Sequence, residues 1–435
     1  MAEDTPLVDR ITLWAVNRLA DKVASSVSFS RATDLENMFK TEVKRTALNI
    51  RVPFCASRCP FCAFPGELYS NSYAKIFLTG LKEEMKLYSS LISQNKAVVE
   101  RVYLSGGTPT LLHKEFGTIQ DQVSEHFSFQ GKVALEASPA DLKDEVLASL
   151  KDLGISQLSI GVQSFNETLL AKVLGRPAKR ENLVSTLKRV MDYGFDYVNI
   201  DLMFSLPGQT KEMLLEDLKT AADIRVNGIS TYPLMMLPYT ALSKTCARER
   251  VDKGGKINST LADQNQAEET ENYLAIVNYL RERTYKFRTL WSFSLNPGAY
   301  EGPYEHDSFI GLGPRAWGVI NNNFTLNAPS TEDYIATLKE GKLPVFAYSE
   351  LRDYPTARLA RRLYYGGIDK HQLNELKSAD FNIRVLTGLL RILGLVRWEE
   401  DFLKMTDRAL AYGNLATKKI AMATLSRMDE ILKAG

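Results

Sequence analysis

From residue 46 onward the chain alternates two kinds of hydrophobic pattern. Short runs dense in β-branched and large apolar residues recur as TALNIRVPF (46–54), ERVYLSG (100–106), KVALEAS (132–138), QLSIGVQSF (157–165), YVNIDLMFSL (197–206) and ISTYPLMMLP (229–238). Each reads as a strand. Between them lie longer stretches such as NSYAKIFLTGLKEEMKLYSSLIS, ADLKDEVLASLKDLG and AKRENLVSTLKRVMDYG, apolar at every third or fourth position, as an amphipathic helix requires. Several end at Gly, a helix C-cap. Strands alternating with helices predict a parallel sheet, and right-handed crossovers curl it into an α/β partial barrel of the (β/α)6 kind. In such folds the chemistry sits at the C-terminal ends of the strands. The distinctive short segments fall there: a cysteine-rich loop after the first strand, SGGTPT after the second, EASP at the third, GVQSF at the fourth and IDLMFSLPGQ at the fifth. Five loops converging on one face argue for a site more strongly than any one of them.

After residue 290 the pattern changes. The segment from Trp291 to Asn323 is rich in Gly, Asn and aromatics and reads as loops and short strands. Residues 356–435 are mostly helical, with a helix, a short hairpin and another helix that read as a winged-helix-like module. The expected division is an N-terminal helical segment (1–45), a barrel (46–290) and a C-terminal domain (291–435).

Composition narrows the class. The 435 residues are 45% hydrophobic, and 54 basic against 52 acidic residues leave a net charge of +2. No basic stripe suits a phosphate backbone, so nucleic acid is not expected as a partner. The acidic, polar start MAEDTPLVDR lacks the order of a signal peptide, and no apolar run approaches the ~18 residues of a spanning helix. The expectation is a cytoplasmic protein with no membrane partner. Four cysteines make no disulfide framework, and in a reducing compartment they point to metal or catalysis.

Three of them, Cys55, Cys59 and Cys62, fall in PFCASRCPFCAF (53–64). Thiolates favour zinc and iron–sulfur clusters. A structural zinc wants a fourth Cys or His, and His113, His126, His306 and His371 are all distant in sequence. Three thiolates fit a [4Fe–4S] cluster with one iron left open to another ligand. The C-x3-C-x2-C spacing with Phe61 before the last Cys resembles the signature of the radical S-adenosylmethionine (SAM) superfamily. Together with SGGTPT, LEASP, IGVQSFN, LGR, NIDLMFSLPGQ and FIGLGPRAWG, it resembles the oxygen-independent coproporphyrinogen III oxidase-like (HemN-like) family over most of the chain.

The resemblance implies one [4Fe–4S] cluster on Cys55, Cys59 and Cys62 and one or two molecules of SAM, cleaved reductively to a 5′-deoxyadenosyl radical. It places Phe61, Gly106, Gly107, Thr108, Glu136, Gln163, Arg176 and Asp201 around SAM. A lone Gly-Gly-Thr-Pro is more often a plain turn, and a buried Glu136 is otherwise an internal salt bridge. The implied partners are a small-molecule substrate, a tetrapyrrole or a biosynthetic intermediate, and an electron donor such as flavodoxin or ferredoxin. No catalytic acid or base is assigned.

The sequence also departs from the oxidases. Asn49 and Arg51 stand where they carry Tyr and His, Phe64 where they carry an additional Cys, and Arg315 and Trp317 add bulk to GLGPRAWG. These changes set propionate decarboxylation behind methyl or methylene transfer from a second SAM, with a heme chaperone as the alternative from a different class. Arg51 reads either as the partner of a substrate or cofactor carboxylate or as one half of a strand-end ion pair. Cys246 reads as an inert thiol or a hydrogen-atom donor.

Overall fold

The computed structural model describes residues 7–32, 43–92, 97–250, 260–299, 308–320, 322–350 and 354–434. Helix α1 (Leu7–Ser26) and a two-residue strand β1 (Ser30–Arg31) precede β2 (Arg45–Val52), the first of six parallel strands. The cysteine loop follows, pinned at its base by the short parallel pair β3 (Phe54–Cys55) and β4 (Glu67–Leu68). Then come α2 (Asn71–Ile92), β5 (Val98–Gly106), α3 (Phe116–His126), β6 (Ser128–Ala137), α4 (Asp144–Asp152), β7 (Ile155–Gln163), α5 (Glu167–Lys172), α6 (Arg180–Asp192), β8 (Tyr197–Phe204), α7 (Lys211–Ile224) and β9 (Gly228–Pro233). Strands β2, β5, β6, β7, β8 and β9 lie side by side in chain order, all parallel. The alternation in the sequence thus becomes the expected α/β architecture.

Period-two alternation within each strand separates two environments. On the helix side, Leu48, Ile50 and Val52 of β2 share one core with Phe77, Leu81 and Met85 of α2. The alternate positions are polar and face one another across the interior. Ser105 donates to Asn49 Oδ1 (2.6 Å), Arg101 to Gln157 Oε1 (3.1 Å), Asn199 to Ser159 Oγ (2.9 Å) and Ser230 to Asn199 Oδ1 (3.2 Å). Buried polar groups need such partners, and the barrel interior is built as a hydrogen-bonded polar row.

The sheet does not stop at residue 290. Helices α8 (Ala241–Arg250) and α9 (Thr260–Glu282) lead to the hairpin β10 (Lys286–Thr289) and β11 (Ser292–Ser294), and β11 pairs antiparallel with β9. Strand β12 (Phe309–Leu312) joins the outer edge of β2 in parallel, Leu312 opposite Ile50. Strands β13 (Trp317–Ile320), β14 (Asn323–Asn327) and β15 (Val345–Glu350) continue it antiparallel out to β1, with α10 (Thr331–Lys339) between the last two. Both flanks of the parallel core are therefore covered, which removes the open edges a six-stranded partial barrel would present.

The rest forms a smaller body with its own core around Leu359, Leu373, Ile383 and Leu403. It comprises α11 (Tyr354–Tyr364), β16 (Gly367–Asp369), α12 (Lys370–Ala379), α13 (Phe381–Ile392) and the hairpin β17 (Val396–Glu399) and β18 (Phe402–Met405). Helix α14 (Asp407–Lys433) starts here, capped by the Thr406 hydroxyl on the Ala409 N–H. It ends against the barrel, where Leu425, Met428 and Leu432 pack with Leu237, Leu326 and Ala347. Of the expected helical segment 1–45, residues 1–6 and 33–42 lie outside the described residues. No helix among the described residues is long and apolar enough to cross a membrane.

Candidate functional site

One cavity opens at the C-terminal ends of the parallel strands, with about 830 Å³ of non-protein space that includes its open mouth. Cys55, Cys59, Phe61 and Cys62 line one side. Gly106, Gly107 and Thr108 follow β5, Glu136 ends β6, Gln163 ends β7, Asp201 lies within β8 and Arg176 follows α5. All eleven residues singled out in the sequence share this cavity. Asp201 sits mid-strand rather than at a strand end, opposite Gly161 of β7; the missing side chain there leaves room for Gln163, whose Nε2 a Cβ on Gly161 would meet at 2.9 Å.

The loop approaches its neighbours too closely for side chains at two glycines. A Cβ on Gly66 would meet Cys55 Sγ at 2.8 Å, and one on Gly107 would meet it at 2.9 Å and Phe54 O at 2.0 Å. The Phe64 N–H donates to Cys62 Sγ (3.3 Å). Burial pushes the Cys62 thiol up to about 11 and raises that of Cys59, against the pull of Arg176. Among the described residues no three His, Cys, Asp or Glu side chains converge on one point where a single metal ion would sit. The three thiols share one cavity wall. An all-sulfur set of three, spread around a cradle of glycines, fits a body of several irons better than one ion. No histidine lines the cavity among the described residues; His306 lies outside them.

Two carboxylates face the thiols. Glu136 accepts from the Gly106 N–H (3.2 Å) and the Tyr103 hydroxyl (3.2 Å), not from a cation. Burial raises it to about 6. Asp201 accepts from Ser159 (3.3 Å) and Asn199 (3.0 Å); burial and the nearby Glu136 charge push it up to about 7. Arg176 donates to Gly161 O (2.9 Å) and Ser138 Oγ (2.8 Å), which holds its guanidinium at the rim. Gln163 has a left-handed backbone, φ +70°.

The departures from the oxidase pattern have structural explanations. Asn49 is taken up by Ser105. Arg51 forms no strand-end ion pair among the described residues: its buried guanidinium donates to three carbonyls, Pro314 O (3.1 Å), Phe64 O (3.2 Å) and Pro65 O (3.4 Å). It clamps the end of the cysteine loop to the turn after β12. Burial and the neighbouring Arg315 lower it to about 10. Trp317 stacks flat on Phe324 (5.2 Å between centroids) beside the cavity rather than in it. Cys246 lies half-buried on α8 and does not line the cavity.

Sequence reasoning missed Ser138 and Ser159. Ser159 was readable in QLSIGVQ, where Gln157, Ser159, Gly161 and Gln163 form the small or polar half of an alternating strand.

Residues 49–221 match the family model of the Radical SAM superfamily. These residues make up a radical SAM domain. Among relatives of this HemN-like protein, the heme chaperone HemW of Bacillus subtilis is 26% identical over 380 residues, 84% of this chain and 96% of that protein. Anaerobilin synthase of Escherichia coli O157:H7 is 24% identical, covering 79% of this chain and 76% of that protein. The oxygen-independent coproporphyrinogen III oxidase of Salmonella typhimurium is 28% identical over 49% of this chain and 47% of its own. Among solved structures, coproporphyrinogen III oxidase (HemN) from Escherichia coli superposes with a TM-score of 0.70 at 20% identity, covering 91% of this chain and 94% of that one. The radical SAM fold brings with it a [4Fe–4S] cluster and SAM as cofactors, and the cavity's donor set fits both.

Proposed function

We propose that Cys55, Cys59 and Cys62 hold the cluster, that Gly106–Thr108, Glu136, Gln163, Arg176 and Asp201 surround SAM, and that the protein acts on a tetrapyrrole of the heme series. The observation that carries the cofactor reading is the meeting of three thiols with two half-buried carboxylates and one guanidinium in a single cavity. When bound, cluster and SAM supply one-electron cleavage of the sulfonium and hydrogen-atom abstraction from a substrate. This chain's residues position and shield. Glu136 is oriented by Gly106 and Tyr103 to accept from a vicinal hydroxyl pair. Asp201 offers a second acceptor, the two glycines let the backbone approach, and Phe61 closes the cavity beside the third cysteine.

Tetrapyrrole as the substrate class is supported by the names of two of the relatives, a heme chaperone and a coproporphyrinogen III oxidase. Propionate decarboxylation is disfavoured because Asn49 and Arg51 are committed to internal hydrogen bonds where the oxidases carry Tyr and His. Methyl or methylene transfer retains its sequence argument, and none of the three relatives bears a transferase name. The second reading is heme carriage, favoured by the near-complete coverage of the heme chaperone.

The test is anaerobic reconstitution and reduction with SAM, with heme and coproporphyrinogen III supplied in turn. 5′-Deoxyadenosine formed together with a changed tetrapyrrole mass supports the enzyme. S-adenosylhomocysteine appearing beside it adds carbon transfer. Stoichiometric heme binding without turnover establishes carriage. Absence of both SAM cleavage and tetrapyrrole binding rejects the proposal. For the carboxylate, Glu136→Gln is expected to weaken SAM binding about tenfold or more, the worth of one hydrogen bond to a charged group. Iron content stays unchanged, as equilibrium dialysis and iron assay would check.

A further inference from the structure

A second, much narrower cleft adjoins the cysteine loop; its non-protein space of about 310 Å³ includes open solvent at its mouth. The loop contributes Ala63 and Phe64, directly after Cys62, and the last turns of α14 contribute Leu425, Met428 and Leu432. Its polar groups are Arg51, Tyr239, Arg315 and Asp429. Three of the four are committed. Arg51 donates to the three carbonyls named above. The Tyr239 hydroxyl donates to Ala63 O (3.0 Å). Asp429 is paired with Lys433 one turn further along its own helix (2.5 Å). The side chain of Arg315 makes no hydrogen bond or ion pair among the described residues, and it is only half-buried.

The backbone that presents Arg315 is held on every side. It is left-handed, φ +56°, a conformation L side chains rarely adopt. The preceding Gly313 N–H donates to the buried Glu84 carboxylate (2.7 Å), Pro314 O accepts from Arg51, the Arg315 N–H donates to Ala328 O (2.8 Å) and Ala316 N–H to Gly313 O (3.2 Å). A strained residue kept in place by a fully bonded turn points to function when its side chain has nothing to do inside the fold. The charge points the same way. Arg315 sits beside a second guanidinium whose donors are spent on neutral carbonyls, and Asp429, the one carboxylate of the lining among the described residues, already has a cation. Among the described residues of the lining, two guanidiniums thus stand against one carboxylate, and only Arg51 has a second carboxylate, Glu136, bearing on it.

We propose that this cleft is a carboxylate subsite, in which Arg315 receives an acid group of the substrate in its planar fork. The apolar body of the molecule lies along Phe64, the exposed apolar side chain of the cleft. The ligand class is an organic acid on a large apolar frame. Resting on the tetrapyrrole reading above, it is a porphyrin-type ring held by one of its carboxylate side chains, and Arg315 sets specificity for the acid.

The experiment uses the full chain, reconstituted and loaded with SAM, and reads affinity by porphyrin fluorescence. The probes are coproporphyrin III, which carries carboxylates, and etioporphyrin, which does not. Wild-type protein is expected to bind coproporphyrin at least about tenfold more tightly, with the preference falling as salt rises. Arg315→Gln is expected to abolish the preference without changing SAM affinity, and Arg315→Lys to restore part of it. Arg315→Gly, which accepts the left-handed backbone without strain, should behave as Arg315→Gln and guards against a folding artefact. If coproporphyrin binds the Gly and Gln variants as tightly as wild type, the subsite is wrong and the tetrapyrrole reading stands. If neither porphyrin binds wild type, the tetrapyrrole reading fails and the subsite fails with it.

Discussion

Cys59→Ala is expected to strip iron and sulfide from the reconstituted protein and to reduce SAM cleavage to background, while Cys246→Ala leaves both at wild-type levels. The first thiol lines the main cavity between Cys55 and Cys62. With only two thiolates left, the remaining irons of a four-iron cluster lack protein donors. Substitution of a half-buried thiol by methyl costs the fold little, so the loss should appear in iron and sulfide content and in absorbance without a change in far-ultraviolet circular dichroism. Cys246 is the internal control because it is half-buried to the same class but lies on α8, outside the cavity lining. Iron retained by the Cys59 variant, or lost from the Cys246 variant, would overturn the ligand assignment.

The second large effect is on stability. Glu84 projects from α2 into the interface with the second half of the chain and is fully buried. One oxygen accepts from the Gly313 N–H (2.7 Å) and the Tyr334 hydroxyl (2.7 Å), the other from Asn327 Nδ2 (2.7 Å). Glu84→Leu leaves the Gly313 N–H and the Tyr334 hydroxyl buried without this acceptor, and is expected to cost about 3 kcal/mol or more in guanidinium unfolding. The pH dependence has a definite sign. Burial raises Glu84 from its ordinary 4.5 to about 7, against the pull of its three donors. The folded protein thus holds the proton more tightly than the unfolded chain. The stability this contributes is complete below pH 4.5 and is lost as pH rises through about 7. Wild-type stability should therefore fall more steeply across that window than that of Glu84→Gln. Equal slopes would show that Glu84 does not titrate there.

What could be read in the sequence follows from which residues signal locally. The six parallel strands were legible because each combines β-branched density with a following amphipathic helix, as KVALEAS and ADLKDEVLASL do. Most of the cavity residues were legible because they sit in short motifs at or just after strand ends; Asp201, inside β8, was legible only through its motif. Arg51 was not, because its three acceptors are carbonyls separated from it by 13, 14 and 263 positions, and carbonyls leave no mark in a sequence. Glu84 was not either. It occupies an ordinary position of a helix rich in Lys and Glu, and only tertiary packing buries it. The pairing of β12 with β2 was invisible for a related reason: FIGLG lies within a stretch that reads as loops, and nothing in four apolar residues names a strand so far upstream.

That pairing bears on how the chain is made. Strand β2 carries the root of the cysteine loop, yet its outer neighbour arrives only with β12; Thr46 and Ser308, which touch there, are 262 positions apart. At ordinary rates of synthesis the interval is roughly 13 to 52 seconds. Throughout it, the nascent chain already has all three ligand cysteines while the backbone donors and acceptors of β2 remain free along one side. Such an edge recruits whatever strand is near, including that of another nascent chain. A fragment ending at residue 290, which the sequence alone would suggest as a self-contained unit, would keep that edge permanently and should be recovered from cells as an aggregate.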